Sequence, residues 1–177
     1  IEPAEGVRAR FWNAGHILGS SSIEIELMTG IESPRTMRLL FSGDIGPEVT
    51  SFHPTPDSPR NLDYLICEAT YGARERPAMT LASRRDLLAA EANEALKGKG
   101  VLIVPSFAVE RTQEVLSDLL ARAHERRIPQ VPILLDSPLA IRATEVFVDH
   151  ARELEDGDAF RHAMRSPLLR TTESVQE

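Results

Sequence analysis

Three short runs near the start of the chain alternate apolar and polar side chains. Arg8 to Trp12, Ser22 to Leu27 and Met37 to Phe41 carry the period of two that predicts β-strands. The second puts Ile23, Ile25 and Leu27 on one face and Ser22, Glu24 and Glu26 on the other. The stretch from Pro47 to Pro59, which also holds Pro54 and Pro56, reads as an irregular loop leading into a strand over Tyr64 to Ala69.

Beyond Gly72 the period changes. An amphipathic helix is expected from Leu81 to Leu96, stopped at Gly98, with the apolar run Val101 to Val104 following as a buried strand. Val109, Thr112, Leu116, Leu119, Leu120 and Ala123 then form a helical stripe. Ile133 to Leu135 predicts a short strand, and Pro138 opens a helix carrying Ile141, Val146, Phe147 and Val148. Helices and strands in alternation imply an α/β fold with parallel strands covered by helices. The tail from Glu155 is polar, with a Gly157-Asp158 turn, and weaker order is expected there. No internal repeat or low-complexity tract interrupts this order, which divides into a strand-rich piece, residues 1–72, and an alternating piece, residues 73–177.

Composition narrows the class. A chain of 177 residues with 42% hydrophobic content can fill one good core or two small ones. No apolar run approaches a membrane span, and the expected setting is soluble and cytoplasmic. The single cysteine, Cys67, excludes an intrachain disulfide and reads as a small buried hydrophobe within Leu65-Ile66-Cys67. A net charge of −7 is unusual for a protein that grips phosphates, so any such contact needs a local arginine-rich groove.

The candidate chemistry lies on glycine-flanked turns. Ala14-Gly15-His16-Ile17-Leu18-Gly19-Ser20 places His16 at a strand end, and Phe41-Ser42-Gly43-Asp44-Ile45-Gly46 does the same for Asp44. An imidazole and a carboxylate leaving strand ends through tight turns can converge on a metal, whereas each taken alone is an ordinary loop residue. Glu68 ends an apolar strand, where it is either raised in pKa by desolvation or held ionised by a partner. Proton handling and a structural ion pair both fit that position.

In open α/β sheets functional groups collect beyond the carboxyl ends of strands. Ser106 and Phe107 follow one such strand and Ser137 another. The hydroxyls could meet a phosphate or cap a helix, Phe107 could stack on a base or pack internally, and Arg111 could bind phosphate or pair with a neighbouring glutamate. Arg74, Arg76, Arg84 and Arg85 form the most basic stretch, with a solvated helix face as its default reading, and Arg126-Arg127 complements a helix dipole. His53, His124, His150 and His162 are assigned no role.

The two glycine-turn fragments resemble the third and fourth motifs of the metallo-β-lactamase fold. The strings ICEATYG, VPSFAVERTQEVL and ILLDSPLAIRATEVF resemble its β-CASP branch, the RNA- and DNA-cleaving nucleases, so the likeness runs from about Phe11 to Glu177. It implies the second part of an αββα sandwich in residues 1–72 and the start of a β-CASP domain in residues 73–177. It also implies that His16 is a zinc ligand and Asp44 the carboxylate bridging two Zn2+. Glu68 would hydrogen-bond a histidine later in the family's chain and assist proton transfer.

This sequence departs from the pattern by lacking the family's HxHxDH string and its two late histidine motifs, and Ala69 stands where a hydroxyl residue is common. The expectation is therefore an internal segment of a longer nuclease, furnishing two of about seven zinc-ligand contacts. In the complete chain the expected activity is zinc-dependent hydrolysis of single-stranded RNA, exo or endo, gripped by Ser106, Phe107, Arg111 and Ser137. DNA is the alternative substrate, and a homodimer is left open. Rival readings are a non-catalytic β-CASP scaffold and a small-molecule metallo-hydrolase.

Overall fold

Alternating side chains in the first third of the chain pair into one four-stranded sheet. The computed structural model describes residues 1–30, 34–47, 52–75, 79–98 and 100–172. It divides into two compact units, Ile1–Arg76 and Pro77–Glu177.

In the first unit β1 (Val7–Asn13), β2 (Ser21–Thr29) and β3 (Arg35–Phe41) form an antiparallel meander, and β4 (Tyr64–Ile66) joins parallel to β3. The polar face of β2 is covered at its centre. Glu24 is 1% exposed because its carboxylate accepts from the Trp12 indole N–H at 2.8 Å and from Nε of Arg38 at 2.9 Å. The opposite face carries an apolar row, Phe11, Ile23, Phe41 and Ile66, in register across all four strands and exposed among the described residues.

The fourth strand is shorter than the expected Tyr64 to Ala69 because a side chain takes over its ladder. The Ser42 N–H still donates to the Ile66 carbonyl, but the Glu68 N–H donates to Oγ of Ser42 at 2.9 Å. Cys67 is exposed, not buried: β4 is a sheet edge whose three residues are themselves exposed, and the chain past Ile66 shares that setting.

The second unit begins with α1 (Leu81–Ala95), whose N-cap Thr80 accepts from the Ser83 N–H, and α2 (Arg111–His124). Ala89, Ala92, Leu119, Ala123 and Ile128 form one core cluster between these helices. A second cluster, Leu116, Leu120, Leu135 and Ala140, joins α2 to β5 (Ile133–Leu135) and α3 (Pro138–Asp149).

Two expectations are corrected here. Val101 to Val104 forms no strand: Leu102 packs on the first cluster, but Val101 and Ile103, pointing the other way, are 84% and 81% exposed with no described strand beside them. Over its described residues, 155–172, the tail carries regular structure where weaker order is expected. A 3-10 turn (Ala151–Glu153) leads into α4 (Gly157–Met164), which buries Phe160 against Phe147, and β6 (Leu169–Thr171) pairs parallel to β5. The first residue of that helix, Gly157, must be glycine because a Cβ there would lie 1.7 Å from the Ala151 carbonyl oxygen. Arg76 and residues 173–177 lie outside the described residues. No helix among the described residues is long and apolar enough to cross a membrane.

Candidate functional site

Three connections at one end of the first sheet are tied together by backbone N–H groups that donate to a carbonyl, a carboxylate and a hydroxyl. The turn after β1 closes on itself: Oγ of Ser20 accepts from the N–H groups of His16 and Ile17, and the Ala14 N–H donates to the Ser20 carbonyl at 3.1 Å. The imidazole of His16 is left exposed. The turn after β3 docks against it, the buried Gly46 donating its N–H to the Ala14 carbonyl at 2.8 Å. Asp44, two residues earlier, is exposed.

The third connection follows β4. Oε1 of Glu68 accepts from the Ile45 N–H at 3.3 Å and Oε2 from the Thr70 N–H at 2.9 Å. The Thr70 backbone donor, then its hydroxyl, then the Ile45 N–H hold the Glu68 carboxyl below the usual range. Partial burial opposes them, and the nearby charge of His16 adds a smaller lowering. Of the two behaviours open to a strand-end carboxylate, Glu68 shows the ionised one, and its stabilisers are backbone N–H groups.

His16 and Asp44 offer an imidazole nitrogen and a carboxylate, the N and O donors that zinc accepts. Among the described residues no three His, Cys, Asp or Glu side chains gather so as to hold a metal. These turns fit a metal centre as two of its donors and would need others to complete it.

The other candidates lie in the second unit. Ser106 and Phe107 are in the irregular segment before α2, with Phe107 84% exposed instead of packed. The Phe107 carbonyl accepts from the Thr112 hydroxyl at 2.7 Å, and Nε2 of Gln113 donates to the Ala108 carbonyl at 3.1 Å and to Oγ1 of Thr144 at 2.9 Å. Gln113 thus links this segment to α3, at whose N-cap Ser137 accepts from the Ala140 N–H at 3.3 Å. Ser137 does act as a cap. Arg111 projects from the first turn of α2 and donates to Glu114 at 2.5 Å.

Sequence reasoning gave Thr112 only a place in a helical stripe and assigned no role to Gln113, Ser42 and Asn13. Only Asn13 carried a local signal, since an asparagine ahead of a glycine turn commonly accepts a backbone N–H two residues on, as it does here from Gly15 at 2.9 Å. Within the basic stretch, Arg74 is exposed as the solvated reading expects, and Arg84 and Arg85 depart from it. Arg84 and Arg85 are half-buried, and both converge on the buried Asp118, at 2.8 and 2.6 Å. Arg127 is held by Asp86 at 3.2 Å.

Residues 112–177 match the Beta-Casp domain. An RNase J-like protein of Methanocaldococcus jannaschii is 34% identical over 149 residues, covering 82% of this chain and 33% of that protein. Ribonuclease TTHA0252 of Thermus thermophilus is 34% identical over 137 residues, 77% of this chain and 29% of the relative. The endoribonuclease ysh1 of Schizosaccharomyces pombe is 29% identical over 168 residues, 93% of this chain and 21% of the relative. The chain thus spans a third or less of these curated relatives. The domain match and the relatives together place the chain in the β-CASP family.

Proposed function

We propose that this chain supplies part of the active centre and part of the RNA-gripping surface of a cytoplasmic, zinc-dependent ribonuclease acting on single-stranded RNA. The observation that carries the reading is the tying of three turns, those of His16, Asp44 and Glu68, by the Gly46–Ala14, Ile45–Glu68 and Glu68–Ser42 hydrogen bonds. His16 and Asp44 would hold the metal, the imidazole and the carboxylate serving as two of its donors. When bound, the metal generates a nucleophile from water at neutral pH and offsets charge on the phosphate.

Glu68, held ionised by its N–H donors, can take up a proton beside the scissile bond and return it to the leaving oxygen. In the second unit, the exposed ring of Phe107 is suited to stacking on a base. Arg111 keeps donors free for a phosphate beyond its contact with Glu114, Ser106 offers an exposed hydroxyl, and the Ser137 hydroxyl can still donate while it caps α3. Residues 1–72 read as a partial metallo-β-lactamase core and residues 73–177 as a partial β-CASP domain. The names ribonuclease and endoribonuclease carried by relatives support RNA over DNA and over a small ester.

The test uses the full-length protein that contains this chain. Asp44→Ala should abolish cleavage of a single-stranded RNA oligonucleotide and lower the zinc bound per chain. Normal cleavage by that variant would overturn the assignment, and faster cleavage of the matching DNA strand would shift the substrate class.

A further inference from the structure

The turn that carries His16 is held from outside by a segment that the metal reading does not use. Asn13, the last residue of β1, meets both partners. Its Oδ1 accepts from the Gly15 N–H at 2.9 Å, its carbonyl accepts from the Asp57 N–H at 2.8 Å, and its Nδ2 is shared between the carbonyls of Pro54 and Thr55, at 3.4 Å each. Gly15, with φ +61°, lies under the same segment. A Cβ built on it would sit 2.9 Å from Cδ of Pro56 and 3.0 Å from the Pro54 carbonyl oxygen. Residues 54–57 are therefore a strap laid across the backbone one residue before His16.

We propose that Asn13 is a positioning residue. It staples the Pro54–Asp57 strap to the histidine turn, and the strap fixes the direction in which His16 presents its imidazole. The side chain suits that task because an asparagine offers an acceptor on one side and two N–H donors on the other. The strap suits it because Pro54 and Pro56 restrict their own backbone, so a few hydrogen bonds hold it in one place. A group that orients a metal ligand without touching the metal commonly changes affinity by about 10- to 100-fold when removed. The inference rests on the reading of His16 as a ligand, and the experiment separates the two.

In the full-length protein, zinc affinity and the visible absorption spectrum of the cobalt(II)-substituted form are measured for wild type, His16→Ala, Asn13→Ala and Asn13→Asp. His16→Ala tests the ligand reading alone. If it leaves both readouts unchanged, His16 is not a ligand and the inference falls with that reading. If His16→Ala weakens binding, Asn13→Ala should weaken it about tenfold and shift the cobalt bands, with KM for RNA unchanged. Asn13→Asp keeps the acceptor for Gly15 but sets an oxygen against the Pro54 and Thr55 carbonyls. It should shift the same bands with the fold retained, and so serves if Asn13→Ala does not fold. Wild-type affinity and spectrum in a folded Asn13 variant, beside a defective His16→Ala, would overturn the staple and leave the ligand reading standing.

Discussion

Gly46 is seated against the backbone of Gly15 so closely that a Cβ on Gly46 would lie 1.7 Å from the Gly15 carbonyl oxygen. No rotamer relieves a clash with backbone, so Gly46→Ala must push the Asp44 turn away from the His16 turn. We expect a loss of about 3 kcal/mol or more in the stability of the first unit. Gly19 is the control. Its φ is +81°, but nothing lies within 4 Å of its missing Cβ, so Gly19→Ala should cost only the left-handed backbone penalty, about 1 kcal/mol. Chemical denaturation of both variants checks the order, and equal costs would refute it.

The sequence is informative where structure depends on near neighbours. Helix α1 was expected over Leu81 to Leu96 and runs Leu81–Ala95, and the strand Ile133 to Leu135 is found as expected, because periodicity and caps are local properties. The glycines around His16 and Asp44 were legible as turns for the same reason. The strap was not, since Asn13 meets Pro54 and Thr55 across 41 and 42 residues. Arg84 and Arg85 likewise find Asp118 more than thirty residues away, so two arginines that read as solvated form a half-buried fork. Helix α4 escaped notice because Phe160 is its one large buried side chain, too little to make a stripe. The apolar run Val101 to Val104 misled because hydrophobicity shows a preference for burial, whereas a strand also needs a partner edge.

Glu24 gives a prediction with an optical readout. Its carboxylate is buried on the sheet and joined to the Trp12 indole and to Arg38, which also donates to the Arg60 carbonyl at 2.6 Å. Glu24→Ala removes the buried partner of Arg38 and leaves it, among the described residues, only the longer ion pair with Glu26 at 3.6 Å, so the variant should cost about 3 kcal/mol. Trp12 is the chain's single tryptophan. Its emission should shift in the folded variant as the indole N–H loses its acceptor. Glu24→Gln keeps an acceptor for the indole and should shift emission less. Emission identical to wild type in the alanine variant would contradict the arrangement.

Arg111 and Asp118 lie on one helix and should behave oppositely. Asp118 is buried and receives Arg84 and Arg85 from α1, so Asp118→Ala leaves two guanidinium groups without their main partner and should destabilise the second unit by about 3 kcal/mol. The Arg111 side chain is 59% exposed and pairs with Glu114 three residues on. Such a pair is worth about 0.5 kcal/mol, so Arg111→Ala should leave unfolding almost unchanged. If Arg111 contacts phosphate, the same variant should weaken RNA binding and flatten its salt dependence, with a log–log slope reduced by about one. Unaltered RNA affinity would assign Arg111 to the helix surface alone.

The carboxyl of Glu68 yields a pH dependence whose sign is fixed by its partners. Its pKa is held below the ordinary 4.5, first by the Thr70 N–H, then by the Thr70 hydroxyl and the Ile45 N–H. These donors favour the ionised form in the folded state, while the unfolded chain returns Glu68 to its ordinary value. The stabilisation is thus complete above the ordinary pKa and is lost as pH falls through the lower folded value. A carbon-detected NMR titration should place the Glu68 midpoint below that of a solvated glutamate. Glu68→Gln cannot ionise, so the stability difference between wild type and this variant should be constant near neutral pH and should narrow only on acidification below about 4.5. Thr70→Val removes the hydroxyl but keeps the backbone N–H, and should move the midpoint only part of the way back. A midpoint above the ordinary value would mean that burial outweighs the three donors, leaving Glu68 protonated at mildly acid pH. The Ile45 N–H would then face a neutral carboxyl, and the tie between the Asp44 turn and the end of β4 would lose its charge-assisted strength.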